Sequence, residues 1–236
     1  ATPTSVKLGG TVPLTGEAAP FGSVGPGAKA YFDYVNSRGG VNGRTIEYVY
    51  YDDEYDPAKT VQLTRKLVEQ DKVFAIFNSV GTANNIAIRP YLNELKVPQL
   101  FAGDGSDALG KAIKAYPWTV PGLMSYSGEG AIYGRYLTET KPNAKIAVLY
   151  ENNEYGKDLL KGLQRALKKG KIVGKESYEY TDPDVGSRVA KLKSSGADTF
   201  MVFGTPKFAI QSFVFADKLN WRPQFFISAI SIEPGI

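Results

Sequence analysis

A chain of 236 residues, 43% hydrophobic and 22% charged, is long enough to bury a sizeable core as one large or two modest α/β domains, and its composition is that of a folded globular protein rather than a disordered one. Cysteine and histidine are both absent, which removes the common zinc sites and the Cys–His and Ser–His–Asp catalytic devices. The formal charge of +4 is small and dispersed. Its densest cluster, Lys168, Lys169 and Lys171, lies beside an expected helix end, where cations complement the helix dipole, and no basic stripe with interleaved aromatics marks a nucleic-acid surface. No run of about 18 apolar residues is present to span a bilayer. The lack of cysteine fits an exported protein that needs no disulfide. The small, polar start Ala1-Thr2-Pro3-Thr4-Ser5 is what a mature terminus looks like after signal removal.

Along the chain, strand and helix patterns alternate. Apolar, β-rich runs are expected to be strands at Val6–Leu8, Ile46–Tyr51, Val73–Phe77, Val97–Ala102, Ile146–Tyr150, Thr199–Phe203 and Phe225–Ile227. Between them fall helical periods. Ala28, Phe32 and Val35 share one face, and Val61, Thr64 and Val68 another, with Leu63 and Leu67 flanking. Later, Leu159, Leu163, Ala166 and Leu167 recur at helical spacing, as do Val185, Val189 and Leu192. Asp56-Pro57 reads as an N-cap followed by proline at the first helical position, and Asp182-Pro183 as a repeat of it. Pro90 predicts a kink or a late start in the third helix. Repeated β-α-β units with near-continuous apolar strands predict parallel sheets covered by helices, joined by right-handed crossovers. Tyr116-Pro117-Trp118-Thr119-Val120-Pro121-Gly122 breaks the rhythm and is read as the crossing between an N-terminal lobe, 1–120, and a C-terminal lobe, 121–236.

In open parallel sheets ligands bind beyond the carboxyl ends of the strands, so the residues after each strand carry the candidate chemistry. These are Pro13-Leu14-Thr15-Gly16 with Phe21-Gly22, then Ser79-Val80-Gly81-Thr82, Gly103-Asp104-Gly105-Ser106, Glu151 to Gly156, Gly204-Thr205-Pro206 and Ser228 to Ser231. Nearly all are rich in Gly, Ser, Thr or Asn, which expose backbone N–H groups, and a helix amino end favours an anion. Thr82 and Ser106 would offer hydroxyls and amides to a carboxylate. The same residues are also ordinary turn and capping chemistry. Gly103-x-Gly105 lacks the third glycine of a dinucleotide fingerprint, and no GxxxxGK[ST] occurs. Asp52-Asp53 reads as a capped loop ahead of a magnesium or phospho-acceptor cluster.

The succession Val6-Lys7-Leu8-Gly9, Pro13-Leu14-Thr15-Gly16, Phe21-Gly22, Gly39-Gly40-Val41-Asn42-Gly43-Arg44 and Tyr51-Asp52-Asp53-Glu54-Tyr55-Asp56-Pro57 resembles the type I periplasmic binding proteins, in their leucine/isoleucine/valine-binding branch. Lys96-Val97-Pro98, Lys145 to Tyr150, Glu154-Tyr155-Gly156 and Leu192 to Asp198 continue the likeness in order over essentially the whole chain. The resemblance implies two Rossmann-like lobes that close over a solute by a hinge near Val120-Pro121-Gly122 and deliver it to a membrane permease. It places Phe21 at the mouth of the cleft, Thr82 (or Ser79) with Gly103 and Ser106 on a ligand carboxylate, Tyr126 and Tyr155 on the second lobe, and Thr205 at a further contact. An extracytoplasmic receptor of an ABC importer follows, periplasmic or at the cell surface, monomeric, with no cofactor or metal and no catalysis.

Two departures from the family pattern matter. Amino-acid binders place an acidic residue after the strand that ends here near Ser228, to meet the ligand's ammonium. This chain has Ala229 there, with Ser228 and Ser231 nearby, and has Tyr126 where the binders carry an acid. An unpaired buried ammonium costs several kcal/mol, so the expected solute carries a carboxylate and no α-ammonium, such as an aromatic or short aliphatic acid, unless Asp104 or Glu154 supplies the charge. The chain is also shorter than the family's, and is expected to be truncated at its C-terminus, with both lobes short of their closing elements and a sheet edge left open. The alternatives are a ligand-sensing domain of the same fold, or an α/β hydrolase or transferase using Asp52, Asp53 or Asp104.

Overall fold

The computed structural model describes residues 1–232. The chain divides into two compact units, Ala1–Leu123 and Met124–Ile236.

Unit 1 is a five-stranded, wholly parallel sheet of β1 (Ser5–Val12), β2 (Thr45–Asp52), β3 (Ala75–Phe77), β4 (Gln99–Ala102) and β5 (Thr119–Pro121), in the order β2-β1-β3-β4-β5. Its helices are α1 (Val24–Ser37), α2 (Pro57–Glu69), α3 (Thr82–Glu94) and the single turn α4 (Asp107–Gly110). Chain order reverses direction between β1 and β3, which makes that pair the topological switch point of the sheet. One face of the sheet buries Leu67, Val73, Ile76, Ile88 and Leu92 beneath α2 and α3.

The elements follow from local chemistry, which also corrects the sequence reading in places. Asp56 caps α2 as expected, accepting from the Ala58 N–H at 2.7 Å. The buried stripe of α2 is Thr60, Thr64 and Leu67, because the Thr60 hydroxyl is drawn inward to Asp53 at 2.7 Å, and Val61 and Val68 end half-buried. Helix α3 does not start late at Pro90. It runs from Thr82 through the proline, which forfeits only one intrahelical donor. The Tyr116–Gly122 segment contains β5, whose Thr119 hydroxyl donates to Gln99 at 3.0 Å while the Gln99 N–H donates to Trp118 at 2.7 Å.

Unit 2 is a four-stranded parallel sheet of β6 (Lys145–Glu151), β7 (Lys171–Tyr178), β8 (Thr199–Phe203) and β9 (Gln224–Ile227), ordered β7-β6-β8-β9, with its switch point between β6 and β8. Strand β8 is buried throughout. Helices α5 (Tyr126–Thr140) and α6 (Glu154–Ala166) cover one face, and α7 (Gly186–Ser194) and α8 (Pro206–Lys218) the other. Asp182-Pro183 does not start α7. The Asp182 carboxylate is already taken by the Glu179 N–H at 2.9 Å and by Arg188 at 2.8 Å, so the helix opens at Gly186, whose N–H donates to Asp184.

Helices α5 and α6 approach so closely that backbone meets backbone. A β-carbon on Gly130 would lie 2.0 Å from the Leu159 carbonyl oxygen, and one on Gly162 would lie 2.1 Å from that of Ser127. Glycine's lack of a side chain is what permits this crossing. Gly130→Ala should therefore destabilise the chain by roughly 2 kcal/mol or more in urea unfolding, against the usual helix preference for alanine. Gly128→Ala, whose β-carbon meets nothing nearer than 3.5 Å, should be neutral or stabilising. Equal effects at the two positions would contradict the close crossing.

Candidate functional site

In unit 1 the loops after β1, β3 and β4 are stitched together across the switch point. The Thr11 N–H donates to the Ser79 hydroxyl at 3.1 Å, and the Val80 N–H donates to the Thr11 carbonyl at 3.1 Å. The Gly103 N–H then donates to the Ser79 carbonyl at 2.8 Å. A ladder of side chains holds the arrangement from below. Asn85 donates to the Ser79 and Gly81 carbonyls, Gln99 donates to Asn85, and Thr119 to Gln99. Gly81 caps α3 at φ +107, a conformation side chains rarely adopt, and a β-carbon there would lie 2.6 Å from the Asn84 amide oxygen and 2.9 Å from the Tyr55 ring.

Of the residues expected in the site, Ser79, Thr82, Gly103 and Ser106 thus fall in one cluster. Its hub is Asp104, fully buried, which accepts from the Thr82 hydroxyl at 2.8 Å, the Ser106 hydroxyl at 2.9 Å and the Ser106 N–H at 2.9 Å. Burial pushes the Asp104 carboxyl above the usual range, and these bonds oppose the shift. Ser106 also caps α4. Phe21 lies in the short 3-10 turn Ala19–Ser23 and packs on Tyr55 with ring centroids 6.5 Å apart, and Tyr55 in turn lies beside Gly81. Asp52 and Asp53 serve the β2 loop. Asp52 accepts from the Leu14 and Glu54 N–H groups and from the Thr15 hydroxyl, and buried Asp53 accepts from Tyr55 N–H and Thr60.

Unit 2 builds a second cluster at its own switch point. The Gly204 carbonyl, just past β8, accepts from the Tyr155 hydroxyl at 3.0 Å and from the Ser231 hydroxyl. Tyr126, the first residue of α5, meets Tyr155 edge to face at 4.9 Å. The Thr205 N–H donates to the Tyr178 hydroxyl at 3.1 Å, and that hydroxyl donates to Glu151 at 3.2 Å. Tyr126, Tyr155 and Thr205, all expected in the site, come together here, and all three are buried. Ser228 is buried nearby, while the Ala229 N–H donates to Glu129 at 2.8 Å.

Sequence reasoning missed Tyr178 and the linking role of Tyr55; it set Glu151 and Asp104 in the post-strand loops, with Asp104 as a possible counter-charge or enzyme carboxylate, and gave neither a place among the expected ligand contacts. Glu151 carried a signal, as an acid placed at the end of an apolar strand. Tyr178 carried none, because β7 has charges along it and a glycine within it and does not read as a strand.

The sequence profile of the periplasmic binding protein family matches residues 5–234. The chain belongs to that family. Within it, the leucine-, isoleucine-, valine-, threonine-, and alanine-binding protein of Pseudomonas aeruginosa is 26% identical over 203 residues, which are 85% of this chain and 53% of that protein. Among solved structures, the fatty acid ABC transporter substrate-binding protein from Thermomonospora curvata superposes with a TM-score of 0.88 at 27% identity, covering 100% of this chain and 60% of that one. The branched-chain amino acid transporter substrate binding protein LivJ from Streptococcus pneumoniae, in complex with isoleucine, gives 0.83 at 26% identity, covering 95% and 64%. The parallel α/β architecture is that of the type I periplasmic binding proteins. The chain spans about half the length of the curated relatives it matches.

Glu151 makes the second cluster sensitive to pH. Burial, first, and the nearby Glu179 charge raise its pKa from 4.5 to about 7, against the bond from Tyr178. A group whose folded pKa is raised binds more protons in the native state, so the stability it confers is complete below about 4.5 and is lost as pH rises through about 7. Asp53 and Asp104, also raised by burial, act with the same sign. Unfolding free energy should therefore be lower at pH 8 than at pH 5, with Glu151 contributing roughly 2.5 kcal/mol to the difference. Glu151→Gln should remove most of that contribution in urea titrations at the two pH values. An unchanged pH dependence in the variant would contradict the assignment.

Proposed function

We propose that this chain is the solute-binding part of an extracytoplasmic receptor serving an ABC importer, and that it binds rather than transforms its ligand. The observation that carries the reading is the placement of the two clusters. Each unit collects its hydroxyls, phenols and loop amides at the carboxyl ends of parallel strands, at the sheet's switch point, where open α/β sheets receive ligands. The buried acids are engaged as acceptors by hydroxyls and loop N–H groups, which suits a rigid loop framework. The family's business is solute binding, and the membership supports that role here.

The relatives whose names state a ligand point to carboxylate-bearing solutes: branched-chain and small amino acids for the Pseudomonas protein, isoleucine for the Streptococcus one and a fatty acid for the Thermomonospora one. A small carboxylate-bearing organic solute, with or without an α-ammonium, is therefore the proposed ligand class. We assign its contacts to Phe21, Ser79, Thr82, Gly103, Ser106, Tyr126, Tyr155 and Thr205, directly or through the loop backbone they fix. A membrane permease is the proposed partner. Among the described residues no helix is long and apolar enough to cross a membrane.

A thermal-shift screen of the chain against amino acids, aromatic acids and short aliphatic carboxylates tests the reading. A ligand at about 100 times its dissociation constant stabilises a folded receptor by about 2.7 kcal/mol, a shift of several degrees. At least one solute in the set should give it. A cooperative melt that no solute moves would contradict the receptor assignment.

A further inference from the structure

The formal charge, dispersed along the sequence, gathers in the fold. Unit 1 carries 12 Lys and Arg against 12 Asp and Glu, so the excess of +4 belongs to unit 2. There it collects on one helix. Lys157, Lys161 and Arg165 of α6, and Lys168 just past its end, follow at spacings of four, four and three residues and are all exposed, which makes one cationic stripe. Like charges at these spacings repel and weaken a helix. The helix dipole welcomes cations in the last turn, where Arg165 stands, and does not account for Lys157 in the first.

A groove of about 610 Å³ opens beside the stripe, between α5 and α6, lined by Ala131, Arg135 and Glu139 from one helix and by Arg165, Ala166 and Lys168 from the end of the other. Arg135 and the Lys168 ammonium make no ion pair and no hydrogen bond among the described residues, and Arg165 makes only a 3.5 Å bond to the Ser127 carbonyl. Thr138, also in the lining, is already engaged: its hydroxyl donates to the Gly134 carbonyl at 2.7 Å and accepts from the Lys168 N–H at 3.0 Å. What the groove offers a partner is therefore charge, as two guanidinium forks and one ammonium, with Glu139 the single anion of the lining. Helix α5 leads into β6 and α6 into β7, so the helix ends that line the groove lie toward the amino ends of the strands, away from the loops that carry the assigned solute contacts.

We propose that this groove is a docking site for an acidic segment of a partner protein. Guanidinium forks match carboxylates two bonds at a time, and cations that are not paired within the chain are matched only when a negative partner arrives. Glu139 among them selects the kind of partner. A uniformly negative surface, such as an anionic bilayer, meets Glu139 with repulsion, whereas a peptide chain can set its carboxylates to either side of it. The proposal does not depend on the receptor reading, since the groove and the solute loops share no residue.

The test uses the 236-residue chain and two blocked peptides of equal length, hexaglutamate and hexaglutamine, followed by two-dimensional amide NMR. Hexaglutamate should shift the amides of residues 131–140 and 164–169 saturably, with affinity falling at least about tenfold between about 50 and about 300 mM salt, and hexaglutamine should not shift them. Arg135→Gln/Arg165→Gln/Lys168→Gln should weaken hexaglutamate at least about tenfold and leave any thermal shift by a solute unchanged. Lys72→Gln/Lys96→Gln/Lys114→Gln removes the same charge from exposed positions of unit 1 and should weaken it less than about twofold. Equal losses in the two variants, shifts centred elsewhere on the chain, or no shift at all would overturn the proposal. So would phosphatidylglycerol vesicles that take up the chain through Arg135, Arg165 and Lys168 while hexaglutamate does not bind, which would make the groove a membrane contact. If the groove variant does not fold, the two peptides and the position of the shifts in the unaltered chain decide by themselves. Failure of the receptor reading is seen separately, in the thermal screen.

Discussion

In a parallel sheet every strand ends at the same edge, and the polar backbone and side chains gathered there must find partners without the help of a neighbouring hairpin. This constraint organises both units. Each meets it by burying a carboxylate just beyond a strand and letting the surrounding hydroxyls and N–H groups point at it: Asp104 after β4, Asp53 after β2 and Glu151 at the end of β6. Removing one of these acids would leave several donors unpaired at once, which is costlier than losing a single bond. Burial raises all three pKa values, so the loops are held by groups that resist the very charge they carry.

The consequence for binding is a frame that is already closed on itself. Ser79 is bonded to the Thr11 backbone, Thr82 and Ser106 to Asp104, and Tyr155 to the Gly204 carbonyl. Pre-engaged groups of this kind fix the positions of the loop amides at low entropic cost, which is how a receptor preorganises a site. They also decide which polarity the loop offers. A hydroxyl that donates its one hydrogen bond to a buried acid offers only lone pairs to anything else.

Much of the fold was legible because apolar runs such as Ile146–Tyr150 and Thr199–Phe203 are buried on both sides and leave no alternative reading. Two of the four edge strands, β5 and β7, were not. Lys171–Tyr178 carries charges on its solvent side and a glycine in its middle, and Thr119–Pro121 is a three-residue strand between prolines, so neither shows a period. The stripe of α2 was misjudged by one position because a hydrogen bond from its hydroxyl to the buried Asp53 pulled Thr60 inward, a polar contact that an apolar period does not register. The candidate residues after each strand were found from topology and resemblance. Which of their atoms are free was beyond reach, since Thr82 and Asp104 stand 22 positions apart and their bond exists only in the folded unit.

The central claim is that a solute is received at the carboxyl ends of the strands, on the loops these buried acids hold in place. Residue-resolved amide hydrogen exchange, with and without the solute that gives the largest thermal shift, tests it most directly. The account predicts that protection rises most at Ser79–Thr82 and Gly103–Ser106, and at Asn153–Tyr155 and Gly204–Thr205, with little change at the opposite ends of the strands. Protection concentrated at the amino ends of β1, β3, β6 and β8, or spread evenly over the chain, would contradict it.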